Sequence, residues 1–211
     1  MKTYGELRDD VRRYLYDRKD LETMIPKWIN LAERRIFRLL RCPANEKLGE
    51  LNIDAPRFQL PEDFLELRDI VFDGRPLRRL SAQQLLAALD RQPSASTPST
   101  FGRISNLIYL HPIPAAEGLV QIMYYADFSG QLQADTDTNE VLRIAPDLYI
   151  YGAMIEASPF LGQDSRTQVW RSMFDEALAQ INSHAAEADF AGSDTMRVDQ
   201  PFSDDDGRNW R

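Results

Sequence analysis

The sequence predicts an α+β fold: a helical bundle of two N-terminal and two C-terminal helices, a small inserted antiparallel β-rich domain, and an extended C-terminal tail. Apolar residues recur every three or four positions at both ends of the chain, short and partly alternating apolar segments lie between them, and the last twenty residues have no period. A length of 211 residues with 43% hydrophobic residues is enough for one or two domains with a buried core.

The predicted organisation has four parts. The N-terminal helical part covers residues 1–42, and the β-rich domain covers residues 43–140. A C-terminal helical hairpin over residues 141–191 completes the bundle, and a docking tail covers residues 192–211.

The first two helices are predicted from a cap and from apolar spacing. Thr3 and Glu6 have the spacing of a capping box, which indicates a helix over about residues 4–16. A second, longer helix starts near Asp20, and Pro26 lies early enough to be tolerated near its first turn. The apolar stripe of this helix consists of Leu21, Ile25, Trp28, Ala32, Ile36 and Leu39.

The middle of the chain is predicted to form a meander of strands. The candidate strands are "KLGELNI", "RFQLP", "FLELRDIVF", "PLRRL", "NLIYLHP" and "LVQIMYYA". Asp73-Gly74 marks a hairpin between the third and the fourth, and Ser81 is placed to cap a short helix. The Pro-, Ser- and Thr-rich segment 92–100 is predicted to be a flexible loop, and a polar loop over residues 127–140 closes this half.

The C-terminal third returns to helical spacing. Pro159 with Gly162 is expected to end the first of two helices, whose apolar face consists of Leu148, Tyr151, Met154 or Ile155, and Ser158. This spacing favours packing over catalysis for the tyrosines and acids of the same segment, which are Asp147, Tyr149, Tyr151 and Glu156. A longer helix over about residues 165–191 has Val169, Met173, Leu178, Ile181 and Ala185 on its apolar side, and Gln180, Asn182 and Glu187 are expected to face water.

Catalytic and metal-binding motifs are not found in the sequence. It has no nucleophile elbow, no Gly-rich phosphate loop and no zinc-ligand spacing, and the single cysteine, Cys42, cannot form an intramolecular disulfide. His111 and His184 lie in different elements and are interpreted as structural. No catalytic, cofactor-binding or metal-binding residue is therefore predicted.

One acidic stretch resembles the start of a calcium loop. Asp135, Asp137 and Asn139 have the spacing of the first calcium ligands. The sixth position is Glu140 instead of glycine, and the twelfth is Pro146 instead of a bidentate glutamate. Because the closing ligand is missing, the stretch does not predict a calcium site.

Charge is unevenly distributed along the chain. The first 41 residues carry eleven Lys and Arg against seven Asp and Glu, whereas the whole chain has a formal net charge of −8. An acidic chain argues against sequence-independent binding of free nucleic acid but leaves room for a local basic lining. The candidate surface that would face phosphate groups or an acidic subunit is a stripe on one side of the second helix, formed by Lys27, Arg34, Arg38 and Arg41. The ordinary alternative is a solvated face that pairs with acids such as Glu33.

The last twenty residues combine acidic and apolar side chains. Three consecutive aspartates at positions 204–206 disfavour a local fold, yet the segment also carries Val198, Phe202 and Trp210. We therefore interpret it as a docking tail that is disordered in the free chain and ordered when it binds a partner protein or a neighbouring subunit. The alternative is a frayed, dispensable terminus.

No run of about 18 apolar residues is present, so the protein is expected to be made and used without crossing a membrane.

Four segments in order resemble one protein family. They are "YGELRDDVRRYL", "MIPKWINLAERRIFRLLR", "LPEDFLELRDIVFDGRPLRRLS" and "PDLYIYGAMIEASPFLGQD" with the long helix that follows. Over residues 4–191 they are similar to the head-to-tail adaptor (connector) proteins of short-tailed and related bacteriophages, the group that includes tail tubular protein A. The tail after Gly192 is outside the resemblance.

The resemblance implies a structural virion protein without cofactors. Such adaptors place a helical bundle against a small β-rich domain and assemble, usually as twelve copies, into a ring beneath the portal of a DNA-filled head. The ring prolongs the DNA channel and is the platform for the tail nozzle or another tail protein. The implied partners are therefore the portal ring, a tail protein and further copies of the chain, with packaged DNA nearby and no membrane.

Two other functions remain open from the sequence alone. A peptidoglycan-degrading enzyme would need a pair of carboxylates in a cleft, and the nearest cluster is Glu62, Asp63 and Glu66. These residues follow Pro61 and are explained more simply as a turn that leads into a strand. The second alternative is a binding module unrelated to virions.

Overall fold

A computed structural model describes residues 3–91, 95–162 and 166–191. Six α-helices lie in this part of the chain: α1 (Tyr4–Tyr14), α2 (Ile25–Leu39), α3 (Ala82–Asp90), α4 (Glu140–Ile144), α5 (Pro146–Leu161) and α6 (Thr167–Ala191). The strands are β1 (Glu46–Ile53), β2 (Arg57–Gln59), β3 (Phe64–Phe72), β4 (Arg75–Pro76), β5 (Arg78–Arg79), β6 (Thr100–Ile104), β7 (Leu107–His111) and β8 (Gly118–Ala126). The predicted α+β class is confirmed.

The N-terminal helices begin and end where local chemistry allows. The Thr3 hydroxyl accepts a hydrogen bond from the backbone N–H of Glu6, which caps α1. The helix ends at Tyr14 because Tyr16 and Asp17 adopt positive φ angles of 58° and 52°. The second predicted helix starts as a 3₁₀ turn over Lys19–Met24 and becomes α-helical at Ile25.

Helix α5 lies at the centre of the helical part, where it contacts α1, α2 and α6. The prediction of a single apolar face was too narrow, because residues on several sides of this helix are buried: Leu148, Tyr149, Gly152, Ala153, Met154, Ile155, Ala157 and Ser158. Gly152 lies against α2, and a β-carbon at this position would lie 2.8 Å from the Cβ atom of Ala32. The helix also continues past Pro159 to Leu161, and Gly162 follows with a φ of +80°.

The buried side of α6 differs from the predicted one in its first half. Val169 and Met173 are 53% and 41% exposed, whereas Phe174 is buried and Trp170 packs against the core. Trp170 stacks on Tyr151 with a ring-centroid distance of 5.9 Å. The helix turns its two large aromatic side chains inward because they remove more apolar surface from water than Val169 and Met173 would. The later positions, Leu178 and Ala185, are buried as predicted.

The middle of the chain forms two four-stranded sheets with the orders β1-β8-β3-β4 and β2-β7-β6-β5. All pairs are antiparallel except β5 with β6. In the first sheet β1 lies beside β8, with Glu46 opposite Tyr125 and Ile53 opposite Gly118. Side chains from both sheets form one core, whose fully buried members include Ile70, Ile108, Leu110 and Val120.

The predicted hairpin and the predicted helix cap are confirmed. Asp73 and Gly74 have φ angles of 46° and 74° and join β3 to β4. The Ser81 hydroxyl accepts from the backbone N–H of Gln84, and the Gln84 side chain accepts from the Ser81 N–H, which is a capping box at the start of α3.

Two elements were missed by the sequence analysis, β6 and α4. The segment 92–100 was predicted to be a flexible loop, but Thr100 begins β6, and the Ser96 and Ser99 N–H groups donate to Ile113 and His111. Residues 92–94 lie outside the described part. The polar loop that was predicted over residues 127–140 leads into α4, which is capped by the Asn139 side chain. Each of these elements has only five residues, which is too short for apolar spacing to show a period.

The helices have a core of their own, separate from that of the sheets. It includes Leu132 and Cys42, so part of the segment after β8 packs on the helices and not on the sheets. Phe128 contacts both cores and makes an edge-to-face contact with Phe37 at a ring-centroid distance of 5.9 Å. The chain thus enters the β part after Cys42 and returns to the helices near Phe128.

Candidate functional site

Three of the four predicted basic residues form an exposed stripe on α2. Lys27, Arg34 and Arg38 are exposed. The period of 3.6 residues per turn places them within about 40° of one another, along about 17 Å of the helix. Among the described residues, none of the three side chains forms an ion pair or a hydrogen bond. These three cations are therefore available to a partner outside the chain.

Arg41 does not belong to this stripe, because α2 ends at Leu39. Its Nε atom donates to the Glu66 carboxylate on β3 at 2.6 Å, and its Nη1 atom donates to the Leu40 carbonyl oxygen at 2.7 Å. Its guanidinium also lies 5.5 Å from the ring centroid of Tyr125 on β8. Arg41 thus joins the helical part to the first sheet.

Two asparagines hold the connection between α2 and β1. The Asn45 side chain is fully buried, accepts from the Cys42 N–H at 3.1 Å and donates to the Leu40 carbonyl at 3.0 Å. The Asn182 side chain on α6 accepts from the Arg41 N–H at 2.8 Å and donates to the Leu39 carbonyl at 3.2 Å. The prediction that Asn182 faces water was wrong, because the end of α2 leaves backbone groups that need a partner.

Replacing Asn182 by alanine is expected to lower the free energy of unfolding by about 1–2 kcal/mol, because two backbone groups at the end of α2 lose their partner. Gln180→Ala is the matched control, since Gln180 is exposed on the same helix and its side chain, among the described residues, bonds to Glu176 on the same helix and to no backbone group of α2. Urea unfolding of the two variants checks this expectation, and equal stabilities would contradict the role of Asn182.

Glu33 is a buried carboxylate at the centre of the helical part. Only 1% of its surface is exposed, and it accepts hydrogen bonds from the Gly130 N–H at 2.7 Å, the Asn139 side-chain amide at 3.2 Å and the Tyr149 hydroxyl at 3.3 Å. Burial raises the pKa of Glu33, while the hydrogen bonds from Gly130 and Tyr149 act in the opposite direction. Glu33 is therefore not an acid of the solvated α2 face, as the ordinary interpretation of the stripe had it.

The hydrogen bonds around Glu33 connect α2, the start of α4 and α5. Asn139 caps α4 by accepting from the Leu142 N–H at 2.7 Å, and its amide also donates to the Tyr149 hydroxyl at 2.8 Å. Burial, followed by the charge of Glu33, raises the pKa of Tyr149. The network lies under the segment that follows β8. Because its polar groups bond to one another, we interpret its role as structural.

Two of the three acids of the enzyme alternative, Asp63 and Glu66, are engaged in ion pairs. Asp63 accepts from Lys47 Nζ at 2.6 Å and from the Tyr124 hydroxyl at 3.0 Å, while Glu66 pairs with Arg41. Partial burial alone would raise the pKa of Asp63, but the hydrogen bonds from Lys47 and Tyr124 hold it below its usual value. A glycosidase needs a carboxylic acid whose pKa is raised, so this arrangement does not favour that chemistry.

The residues of the incomplete calcium loop also have structural partners. Asp135 pairs with Arg8 at 3.0 Å, and Asp137 accepts from the backbone N–H groups of Gln133 and Ala134 at 2.9 and 2.7 Å. These backbone hydrogen bonds lower the pKa of Asp137. In the part of the chain that the structure describes, no group of three His, Cys, Asp or Glu residues could hold a metal ion.

The remaining predicted site residues are in the tail. Val198, Phe202 and Trp210 lie outside the residues that the structure describes.

Among the described helices, none combines the length and the apolar character that a membrane span requires.

Comparison with known protein families gives a match that covers most of the chain. No curated protein matches the chain. A family model described as SU10 adaptor protein matches residues 2–199, which is nearly the whole sequence and includes both the helical part and the β part. This match confirms the resemblance to bacteriophage head-to-tail adaptors that the four sequence segments indicated. The chain belongs to the SU10 adaptor protein family.

Proposed function

We propose that this adaptor forms a ring of twelve copies beneath the portal, where it extends the DNA channel and provides the attachment platform for the tail. The family match over residues 2–199 is the observation that carries the proposal. The family gives the coarser role, which is that of a structural adaptor of a bacteriophage virion that associates with portal and tail proteins. The ring, its copy number and its channel are the proposed refinement.

A ring places a demand on the surface of each subunit. Every subunit must present two different, complementary patches, because a head-to-tail ring contact is heterologous. The exposed cations on α2 and the acidic remainder of a chain with a net charge of −8 supply two such patches. In this proposal Lys27, Arg34 and Arg38 line the channel or the contact with the next subunit.

Replacing Lys27, Arg34 and Arg38 together by glutamine is expected to leave the free energy of unfolding within about 1 kcal/mol of the parent value, because exposed charges that form no ion pair or hydrogen bond contribute little to folding. Assembly on the portal or retention of the genome should suffer instead. Thermal unfolding and a packaging assay measure the two effects. A large loss of stability with normal assembly would show that the stripe is needed for folding.

The matched control for this variant is Arg41→Gln. Arg41 is a cation from the same stretch of sequence, but it bonds to Glu66 and to the Leu40 carbonyl. We expect Arg41→Gln to lower stability more than the triple substitution does. If the stripe lines the channel, the triple variant should form intact rings that lose DNA. If the stripe is a subunit interface, rings of the triple variant should dissociate at a lower salt concentration than rings of the parent protein do.

The isolated protein is expected to be mostly monomeric and to form a ring when it meets the portal. A net charge of −8 opposes self-association until a template organises the subunits. Sedimentation of the free protein, followed by negative-stain microscopy with its portal, tests both states. A stable large oligomer without the portal, or a portal that remains bare, would contradict this expectation.

The tail is proposed to hold each subunit in the assembly. Val198, Phe202 and Trp210 are apolar side chains that a purely solubilising segment does not need. Burial of one large apolar side chain contributes about 1.5–3 kcal/mol before the cost of ordering the segment is subtracted. The net affinity of one tail is therefore small, but many tails in one ring act together through effective concentration.

A further inference from the structure

An open apolar groove lies on the helical part, between the connection that follows α2, helix α4 and the second half of α6. Its volume is about 490 Å³, which is within the range of pockets that hold compact ligands. Its apolar lining includes Pro43, Val141, Ile144, Ala145, Ile181 and Ala185. The charged or titratable polar side chains among its described lining residues, Glu140 and His184, are both exposed.

The inner residues of the groove are buried and held in place by hydrogen bonds, and its edge is exposed. Val141 and Ala145 are buried in the helical core, whereas Ile144 is 54% exposed although it is a large apolar residue. The cap from Asn139 to the Leu142 N–H fixes the start of α4, and the Asn45 side chain fixes the opposite wall. Covering a preformed apolar surface of this kind with an apolar side chain lowers the free energy, because both surfaces are removed from water.

The position of the groove relates it to the C-terminal segment of the chain. Ile181, His184 and Ala185 of α6 border the groove, and α6 ends at Ala191, about 9 Å further along its axis. Residues 192–211 follow directly, and an extended segment of this length reaches up to about 66 Å. Helix α6 runs from Ile181 past the groove to Ala191, so the segment that follows can enter the groove of its own copy only if the chain reverses its direction, which favours the groove of an adjacent copy.

We propose that this groove receives the apolar side chains of the C-terminal segment 192–211 from a neighbouring copy of the chain. Phe202 and Trp210 are the anchors, because they are the largest apolar side chains of that segment. The inference rests on the proposed ring and names its second contact: each subunit offers a groove to one neighbour and its own segment to the other.

A peptide titration tests the groove without any ring. The probe is a fluorescent peptide of residues 192–211, and the receptor is the full-length chain with Phe202→Ala and Trp210→Ala, which silences its own segment. We expect saturable binding in fluorescence anisotropy. The substitution Ile144→Asp in the receptor should weaken binding by about tenfold or more, as expected for the loss of an apolar anchor site.

Val169→Asp is the matched control in the same receptor, because Val169 is 53% exposed, like Ile144, and does not border the groove. It should leave the affinity unchanged, and the melting temperatures of the two receptors should agree. A peptide that carries Phe202→Ala and Trp210→Ala should not bind. Equal binding by the Ile144→Asp and Val169→Asp receptors, or no binding at all, overturns the assignment of the groove.

Disulfide trapping identifies which copy supplies the segment. Cys42 is the only native cysteine, so Cys42→Ala with His184→Cys and Ser203→Cys leaves two thiols, one at the exposed border of the groove and one next to the anchor Phe202, and keeps Ile144 and both anchors unchanged. Oxidation of the full chain bound to its portal is expected to give a ladder of linked subunits on a non-reducing gel. A linkage only within single chains would overturn the neighbouring copy as occupant, and the absence of any linkage would overturn the proposal.

The proposed ring and the groove can fail separately. If no ring forms on the portal but the peptide binds with the predicted dependence on Ile144, the proposed function fails while the groove is a binding site for the segment. If rings form and the peptide does not bind, the ring stands and the groove proposal is overturned.

Discussion

Gly152→Ala is expected to lower the free energy of unfolding by about 1–3 kcal/mol, although alanine is the better helix former. The new β-carbon would lie 2.8 Å from the Cβ atom of Ala32 and 3.5 Å from Cε2 of Phe174. The first distance is shorter than such atoms tolerate, so α5 must move away from α2 and loosen the core between them. Urea unfolding of the variant measures the loss.

The exchange of the two residues is the control for this prediction. In the double variant Gly152→Ala with Ala32→Gly the close contact again joins one alanine to one glycine, and the summed helix propensity is unchanged. We expect this variant to recover most of the lost stability, with a coupling free energy of about 1–3 kcal/mol. A Gly152→Ala variant as stable as the parent, or a double variant no better than the single one, would show that the approach of the helices is not limiting.

Glu33→Ala is expected to cost about 2–4 kcal/mol at neutral pH. The Asn139 amide keeps its hydrogen bond to the Tyr149 hydroxyl, but the Gly130 N–H and the Tyr149 hydroxyl lose their acceptor in a buried site. Each unpaired buried group costs about 1–3 kcal/mol, and part of the sum is offset because the substitution also removes a buried charge. Glu33→Gln keeps one side-chain oxygen and the shape of the side chain, so it should cost about 1 kcal/mol. Denaturant unfolding that gave the alanine variant parental stability would contradict the role of this network.

The pH dependence of the same pair of proteins gives a signed test. Burial raises the pKa of Glu33 above its usual 4.5, so the folded protein binds this proton more tightly than the unfolded chain does. The resulting stability is fully present below pH 4.5 and is lost as the pH rises through the raised pKa. The parent should therefore become less stable relative to Glu33→Gln as the pH rises above 4.5, because glutamine does not titrate. A difference that is flat or rises with pH would contradict the raised pKa.

Sequence periodicity predicted the elements whose signal is local. The cap at Thr3, the hairpin at Asp73-Gly74 and the capping box at Ser81 depend on residues within four positions of each other, and all three are confirmed. The inward side of α6 depends instead on which aromatic side chains meet Tyr14 and Tyr151, and these residues come from α1 and α5. Local apolar spacing alone could not show whether Val169 and Met173 or Trp170 and Phe174 face the core.

The candidate site shows the same division between local and distant signals. The exposed positions of Lys27, Arg34 and Arg38 follow from helical period alone. The departure of Arg41 could not be predicted, because it depends on a helix end held by Asn182 and on a carboxylate from β3. Glu33 looked like a surface acid, since its partner at Gly130 is 97 positions away in the sequence.

The neighbouring positions of β1 and β8 have a consequence for how adaptors of this kind can diversify. The chain leaves the helices at Glu46 and comes back past Tyr125, and these two residues are opposite each other in the register. Paired residues of antiparallel strands have Cα atoms only about 4.5–5.5 Å apart. Everything between them is therefore a cassette with adjacent ends, and a lineage could lengthen, shorten or exchange it without moving the helices that flank it. Selection on the helical core and selection on the cassette can then proceed almost independently, coupled mainly through contacts such as that between Arg41 and Glu66.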